Sequence, residues 1–336
     1  MSPPDPRANP LLLGQDAAEA TLAEAMRSGR MHHAWLLTGP HGVGKATLAF
    51  RFARRLFAGA PVGASLAIDE RDKIFRRVAA GSHADLLTVE REWDAKKKKL
   101  RGEIVVDDVR RIAEFLHLTP AEGGWRVVVL DGAEDLNRSA ANALLKVLEE
   151  PPPRAVLLLV CSAAGRLLPT IRSRCRRLRL PALGEDAMSE LLARYLPETA
   201  EEERGRLATM AEGSIGRALA LAEGGGVAVA DLVGKVLDAL PDVSAARAHE
   251  VADLLGRDEE AFSTFMELLR AGVAASVREV ARGRADPDQA RLVGTRPLAA
   301  WVDVWHALSH LQYETEAFHL DKRQAILAGC ALLAGR

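Results

Sequence analysis

The stretch from Ala34 to Phe57 constrains the fold more than any other part of the chain. Ala34-Trp35-Leu36-Leu37-Thr38 is an apolar run of a length that suits one buried strand. It runs directly into Gly39-Pro40-His41-Gly42-Val43-Gly44-Lys45-Ala46-Thr47. Beyond the loop, Leu48, Phe52 and Leu56, with Ala49, Ala53 and Phe57 beside them, recur at helical spacing. Strand, glycine loop and helix in that order form the setting of a phosphate-binding loop. Glycines let successive backbone N–H groups turn toward phosphate oxygens, and a lysine brings positive charge to the β and γ groups. Gly39, Gly44 and Lys45 fit the pattern G-x-x-x-x-G-K-[ST], and Gly42 lies between them. The residue after the lysine is Ala46, which has no hydroxyl for a metal ion. Thr47 comes one place late, about 100° further round a helix. The loop speaks for the fold more than for hydrolysis.

A second stretch runs from Trp125 to Pro153. Val127-Val128-Val129-Leu130 reads as a strand buried on both faces and ends on Asp131. Open parallel sheets bind ligands at that end of their strands. An acid there holds a metal in nucleotide motors, or else caps the turn. The neighbouring acid that would polarise water is replaced by Gly132, and Glu134 and Asp135 are expected to face solvent or cap the next helix. That helix spans Ser139 to Glu150 and is stopped by three prolines. Leu86 to Val89, Ala155 to Val160 and Arg177 to Leu180 read as further strands, and Gln15 to Ser28 and Asp107 to Leu118 as helices. Alternating strands and helices predict a parallel sheet with crossover helices, an α/β core. Residues 1–10 read as loose, and 59–82 carry little pattern. The lysines Lys96 to Lys99 read as a solvated loop, with a DNA or partner contact as the alternative.

After Pro181 the pattern becomes helical. Asp186 to Tyr195, Glu201 to Ala211 and Ser214 to Ala222 predict three short helices, and Gly224-Gly225-Gly226 a flexible break. The remainder is helical, with Leu298, Val302, Trp305 and Leu308 expected to pack into a core. At 336 residues, two or three domains are expected. The boundaries above give 1–180, 181–226 and 227–336. A net charge of −1 gives no global attraction to nucleic acid or membrane. Three scattered cysteines argue against a disulfide framework, and no run is long enough to span a bilayer. A cytoplasmic location without membrane partners is the expectation.

The run Ala140-Ala141-Asn142-Ala143-Leu144-Leu145-Lys146-Val147-Leu148-Glu149-Glu150-Pro151-Pro152, followed by Ser173-Arg174-Cys175, resembles the clamp-loader branch of the AAA+ proteins. Gly81-Ser82-His83-Ala84-Asp85 and Val105-Val106-Asp107-Asp108-Val109-Arg110 resemble its bacterial members. The resemblance spans about residues 30–220. It implies an α/β AAA+ P-loop core over 1–180, a three-helix lid over 181–226 and an all-α collar over 227–336 that joins a ring. The implied partners are gamma/tau and delta subunits in a hetero-pentamer, the sliding clamp, and primer-template DNA through the complex. Arg174 matches the family's arginine finger, which acts in trans on a neighbour's ATP site. It is also one of several arginines between Arg166 and Arg179.

Three departures from the branch's motor subunits coincide. Ala46 replaces a metal-binding hydroxyl, Gly132 a catalytic acid, and Gly216 the arginine that the lid of a motor subunit carries. The implied role is a non-hydrolysing subunit of the DNA polymerase III assembly. Gly39, Gly42, Gly44, Lys45, Thr47 and Asp131 would form a degenerate nucleotide site that requires no cofactor, with ATP or ADP held unhydrolysed at most. The alternatives are an active gamma/tau-type ATPase and a regulator that binds ATP without turnover. Many relatives carry a four-cysteine zinc module after the loop helix. Residues 48–85 contain no cysteine, so no zinc is expected.

Overall fold

The computed structural model describes residues 4–59, 65–94, 99–122 and 124–335. Of the lysine run, Lys96 to Lys98 lie outside these residues, and only the backbone of Lys99 is described. The chain begins with α1 (Asp16–Arg27), β1 (Ala34–Thr38), α2 (Lys45–Ala58), α3 (Lys73–Ala79) and β2 (Leu86–Val89). There follow β3 (Trp93–Asp94), β4 (Lys99–Leu100), α4 (Val106–His117), β5 (Arg126–Asp131), α5 (Arg138–Glu149) and β6 (Ala155–Cys161). Then come α6 (Pro169–Arg174), β7 (Arg176–Arg179), α7 (Glu185–Tyr195), α8 (Glu201–Met210) and α9 (Ile215–Glu223). The rest is α10 (Gly226–Asp238), α11 (Ala245–Leu255), α12 (Glu259–Ala281), α13 (Pro287–Val293), α14 (Leu298–Ala317) and α15 (Lys322–Ala334). Two compact units divide between Ala218 and Leu219.

In the first unit, β2, β5, β6, β1 and β7 form one sheet in that order, with every pairing parallel. Every residue of β1 and β6 is buried, as a sheet covered on both faces requires. The alternation of side chains sorts them into two cores. Trp35, Leu37, Val127, Val129, Val156 and Leu158 pack with α1 and α2, whereas Leu36, Val128, Leu130, Leu157 and Leu159 pack with α4 and α5. The register sets Thr38 beside Cys161 and Asp131 beside Val160, so the loop after β1 and the acid ending β5 emerge on one edge.

Residues 7–10 are pinned, contrary to the expectation of a loose arm over 1–10, of which residues 1–3 lie outside the described residues. Arg54, 2% exposed, donates to the carbonyls of Arg7 and Asn9, each at 2.9 Å. Burial pushes its pKa down to about 10. Arg51 donates to the Pro10 carbonyl at 2.6 Å and pairs at 2.9 Å with buried Glu19. Two arginines on a helix that reads as amphipathic thus spend their donors on a strap of backbone. The structure also adds α3, where the sequence carries little pattern, and the antiparallel pair β3–β4, which flanks the lysine run read as a loop. α3 is seven residues long, too short for its periodicity to stand out, and Asp72 caps it through the Ile74 N–H.

The motif Gly81 to Asp85 is structural. Asp85, 1% exposed, accepts from the backbone N–H groups of Ala121 and Glu122 and lies 3.7 Å from Arg126. His83 stacks on Phe57 at 3.9 Å.

The second unit is all helix among its described residues. The glycines Gly224 to Gly226 near its start form a tight corner, not a flexible break. Gly225 turns at φ 62°, and a Cβ on Gly226 would lie 2.6 Å from the Leu221 carbonyl oxygen. The expected stripe on α14 is also corrected. Leu308 is fully buried, with Trp301 and Val304 on its face, but Leu298, Val302 and Trp305 are exposed. Residues 298, 302 and 305 follow helical spacing as faithfully as 301, 304 and 308, and spacing alone cannot say which row faces inward.

Candidate functional site: a glycine loop closed by its own lid

The loop from Gly39 to Gly44 leaves β1 and feeds the first turn of α2. Lys45 is 4% exposed, and its Nζ donates to the Gly39 carbonyl at 2.9 Å and the Pro40 carbonyl at 2.5 Å. The ammonium is thus turned onto the loop's own backbone. Burial lowers its pKa, and Glu134 and Asp131 partly offset that. Thr47 is buried in α2, one place past Ala46.

The lid comes down on this loop. Ser214 Oγ donates to the His41 carbonyl at 2.7 Å, and the Gly216 N–H donates to the Gly42 carbonyl at 3.0 Å. A Cβ on Gly216 would sit 2.8 Å from Gly42 Cα, and one on Gly42 would sit 2.9 Å from Gly216 Cα. Two glycines therefore let two backbones touch. The strap completes the closure. Gln15 Nε2 donates to the carbonyls of Val43 at 3.2 Å and Pro181 at 3.0 Å, bridging loop and lid. Leu12 packs with the core of the sheet, and Leu11 and Leu13 pack with the lid.

On the other side of the loop, a cavity of about 650 Å³ opens at the carboxyl ends of the strands, lined by His41, Glu90, Trp93, Asp131 and Glu134 among others. Burial, then the neighbouring Glu90, raises the pKa of Asp131, while Lys45 opposes the rise. Gly132 adopts φ 78°, a left-handed turn that disfavours any side chain, and a Cβ there would meet an Asp135 carboxylate oxygen at 3.0 Å. The turn that follows carries Glu134 back toward the sheet. Its carboxylate accepts the Ser162 backbone N–H at 2.7 Å and a hydrogen bond from the Cys161 thiol. Burial and Glu134 push that thiol up to about 12. Glu134 is therefore a site residue, not a solvent-facing one. Asp135 pairs with Arg91 at 3.2 Å, and Asn137, not Asp135, caps α5.

The loop carrying Gly39, Gly42, Gly44 and Lys45 and the strand end at Asp131 lie at one edge of the sheet, with Thr47 on α2 behind the loop. They do not fit a hydrolytic metal–nucleotide centre. No hydroxyl follows Lys45, no acid follows Asp131, and the lid lies on the loop itself.

Arg174 lies at the end of α6, outside this cluster. One guanidinium nitrogen donates to the Thr170 carbonyl at 3.0 Å, and the other pairs with Glu149 at 2.7 Å. The side chain remains 36% exposed. Of the neighbouring arginines, Arg176 lies over the Trp35 ring at 4.8 Å, and Arg177 and Arg179 are exposed. Cys175 is partly buried against the core around α5 and α6, as a small packing residue is expected to be.

The strand order, the glycine loop after β1 and the helices that follow define a P-loop core of the AAA+ type. The chain belongs to the family described as DNA polymerase III, delta subunit, whose profile matches residues 14–184. It is 42% identical over 182 residues to the DNA polymerase III subunit delta' of Pseudomonas aeruginosa, covering 54% of this chain and 53% of that protein. It is 33% identical over 245 residues to subunit tau of Escherichia coli, covering 69% of this chain and 36% of the relative. A solved gamma subunit-related protein from Thermotoga maritima superposes with a TM-score of 0.46 at 18% identity, covering 94% of this chain and 99% of the other. The chain spans about half the length of the first of these relatives.

Proposed function

We propose that the protein is a non-hydrolysing, delta prime-like subunit of a bacterial clamp loader. It would assemble with gamma/tau-type and delta-type subunits into a hetero-pentamer that places a sliding clamp on primed DNA in the cytoplasm. Residues 1–180 serve as the AAA+ core, 181–226 as the lid and 227–336 as the collar that joins the ring. Its own loop performs no hydrolysis. Its contribution to catalysis is Arg174, presented to the nucleotide of the adjacent subunit. A guanidinium placed on a transferring phosphoryl group accelerates transfer by ~10³–10⁵.

The observation that carries the reading is the contact between Gly216 and Gly42, at which a lid arginine has no room while the lid is seated. Ala46 and Gly132 support it independently, since each removes a different part of the hydrolytic apparatus. The same features weigh against an active gamma/tau-type ATPase. The test is reconstitution. The chain alone is expected to show no ATP turnover above background, and to raise the DNA-stimulated ATPase of gamma/tau and delta subunits when it copurifies with them. Sustained turnover by the isolated chain, or failure to join the complex, overturns the proposal.

A further inference from the structure

The geometry points to Glu149 as a positioning residue that orients Arg174 toward the neighbouring subunit's nucleotide. This rests on the reading of Arg174 given above. Glu149 closes the last turn of α5, where a carboxylate faces the negative end of the helix dipole and is disfavoured unless a cation answers it. Arg174 supplies that cation at 2.7 Å from Oε1. The Thr170 carbonyl takes the other guanidinium nitrogen at 3.0 Å, so the planar fork is held at two points. Both supports sit on packed helices. Thr170 lies one turn back on α6, which starts at Pro169 and is anchored by fully buried Ile171. Glu149 belongs to α5, whose Ala140, Leu144 and Leu148 pack into the sheet's second core.

The fork keeps part of its surface exposed. A side chain as long as arginine, free in solvent, visits many rotamers, and only a few of them reach a phosphate across a subunit boundary. Two fixed acceptors reduce that set before the neighbour arrives. α5 is also capped by Asn137, six residues after Asp131, so one helix joins the end of the site's strand to the base of the finger.

The test uses the reconstituted complex with this chain as wild type, Glu149→Ala, Glu149→Gln, Arg174→Ala and the double variant Glu149→Ala/Arg174→Ala. The kcat of DNA-stimulated ATP hydrolysis is expected to fall about 10-fold in Glu149→Ala with KM within about twofold, within the roughly 100-fold that misplacing a group by an ångström costs. Glu149→Gln, which keeps a carbonyl acceptor without the charge, is expected to lie between Glu149→Ala and wild type. The double variant is expected to match Arg174→Ala, because Glu149 acts only through the arginine. If Arg174→Ala lowers kcat and Glu149→Ala leaves it unchanged or raises it, the positioning role is overturned while the finger stands. A further loss in the double variant also overturns it, since a merely structural residue would act whether or not Arg174 is present. If Arg174→Ala itself has no effect, the finger fails and the inference falls with it.

Discussion

Gly216 illustrates how a single residue carries more than its place in a motif. In sequence it is a missing arginine. In the fold it is the point where the lid's backbone meets the loop's, with its amide donating to the Gly42 carbonyl at 3.0 Å. Backbone cannot swing aside as a flexible side chain does, so a methyl group here must push the lid off the loop. Gly216→Ala is expected to destabilise the first unit by about 1–3 kcal/mol, the usual cost of overpacking. A lowered denaturant midpoint with an unchanged transition slope checks this, and an unchanged midpoint contradicts it. Gly132 tells the same story through its dihedral angle: at φ 78° the motor's acid would be strained. Motif comparison flagged both glycines, but neither reason for them is visible in a string of letters. Glu134 shows the opposite failure. Nothing in its spacing indicates that the turn after Gly132 curls its carboxylate back to the Ser162 N–H.

At the scale of elements, the strands were the most legible. Every residue of β1 and β6 is apolar or small, and a buried parallel strand has no other composition available. β1 and β2 match their expected bounds, and the expected helices before the second unit fall within a residue or two of theirs. Legibility failed where two faces of a helix carry the same spacing. α14 has apolar rows at 298, 302, 305 and at 301, 304, 308, and only the second is buried. Leu308→Ala is therefore expected to cost about 2–5 kcal/mol, as deletion of a fully buried leucine does. Val302→Ala, at an exposed site, is expected to stay within about 0.5 kcal/mol of wild type. Chemical denaturation of the two variants separates the rows, and the reverse order would show the stripe to be core after all. The strap over residues 7–10 was illegible for a related reason. Its stability comes from Arg51 and Arg54, side chains that read as the polar face of α2.

At the scale of the whole molecule, the sheet brings the glycine loop, Asp131 and the turn around Gly216 to one edge, while Arg174 stands apart on α6 with its fork held and partly exposed. In the proposed role the loop performs no hydrolysis and Arg174 acts on a phosphate held by a neighbour, and the two halves of that proposal support each other. The second unit's helices, eight or more residues each apart from α13, are the part of the chain that the proposal assigns to assembly. The measurement that tests this account most directly is DNA-stimulated ATPase of the reconstituted complex carrying Arg174→Ala. The account predicts a complex that assembles in full and a kcat about 10³-fold lower at the neighbouring site, the lower end of what an arginine finger contributes. Full assembly with undiminished hydrolysis at that site would contradict it.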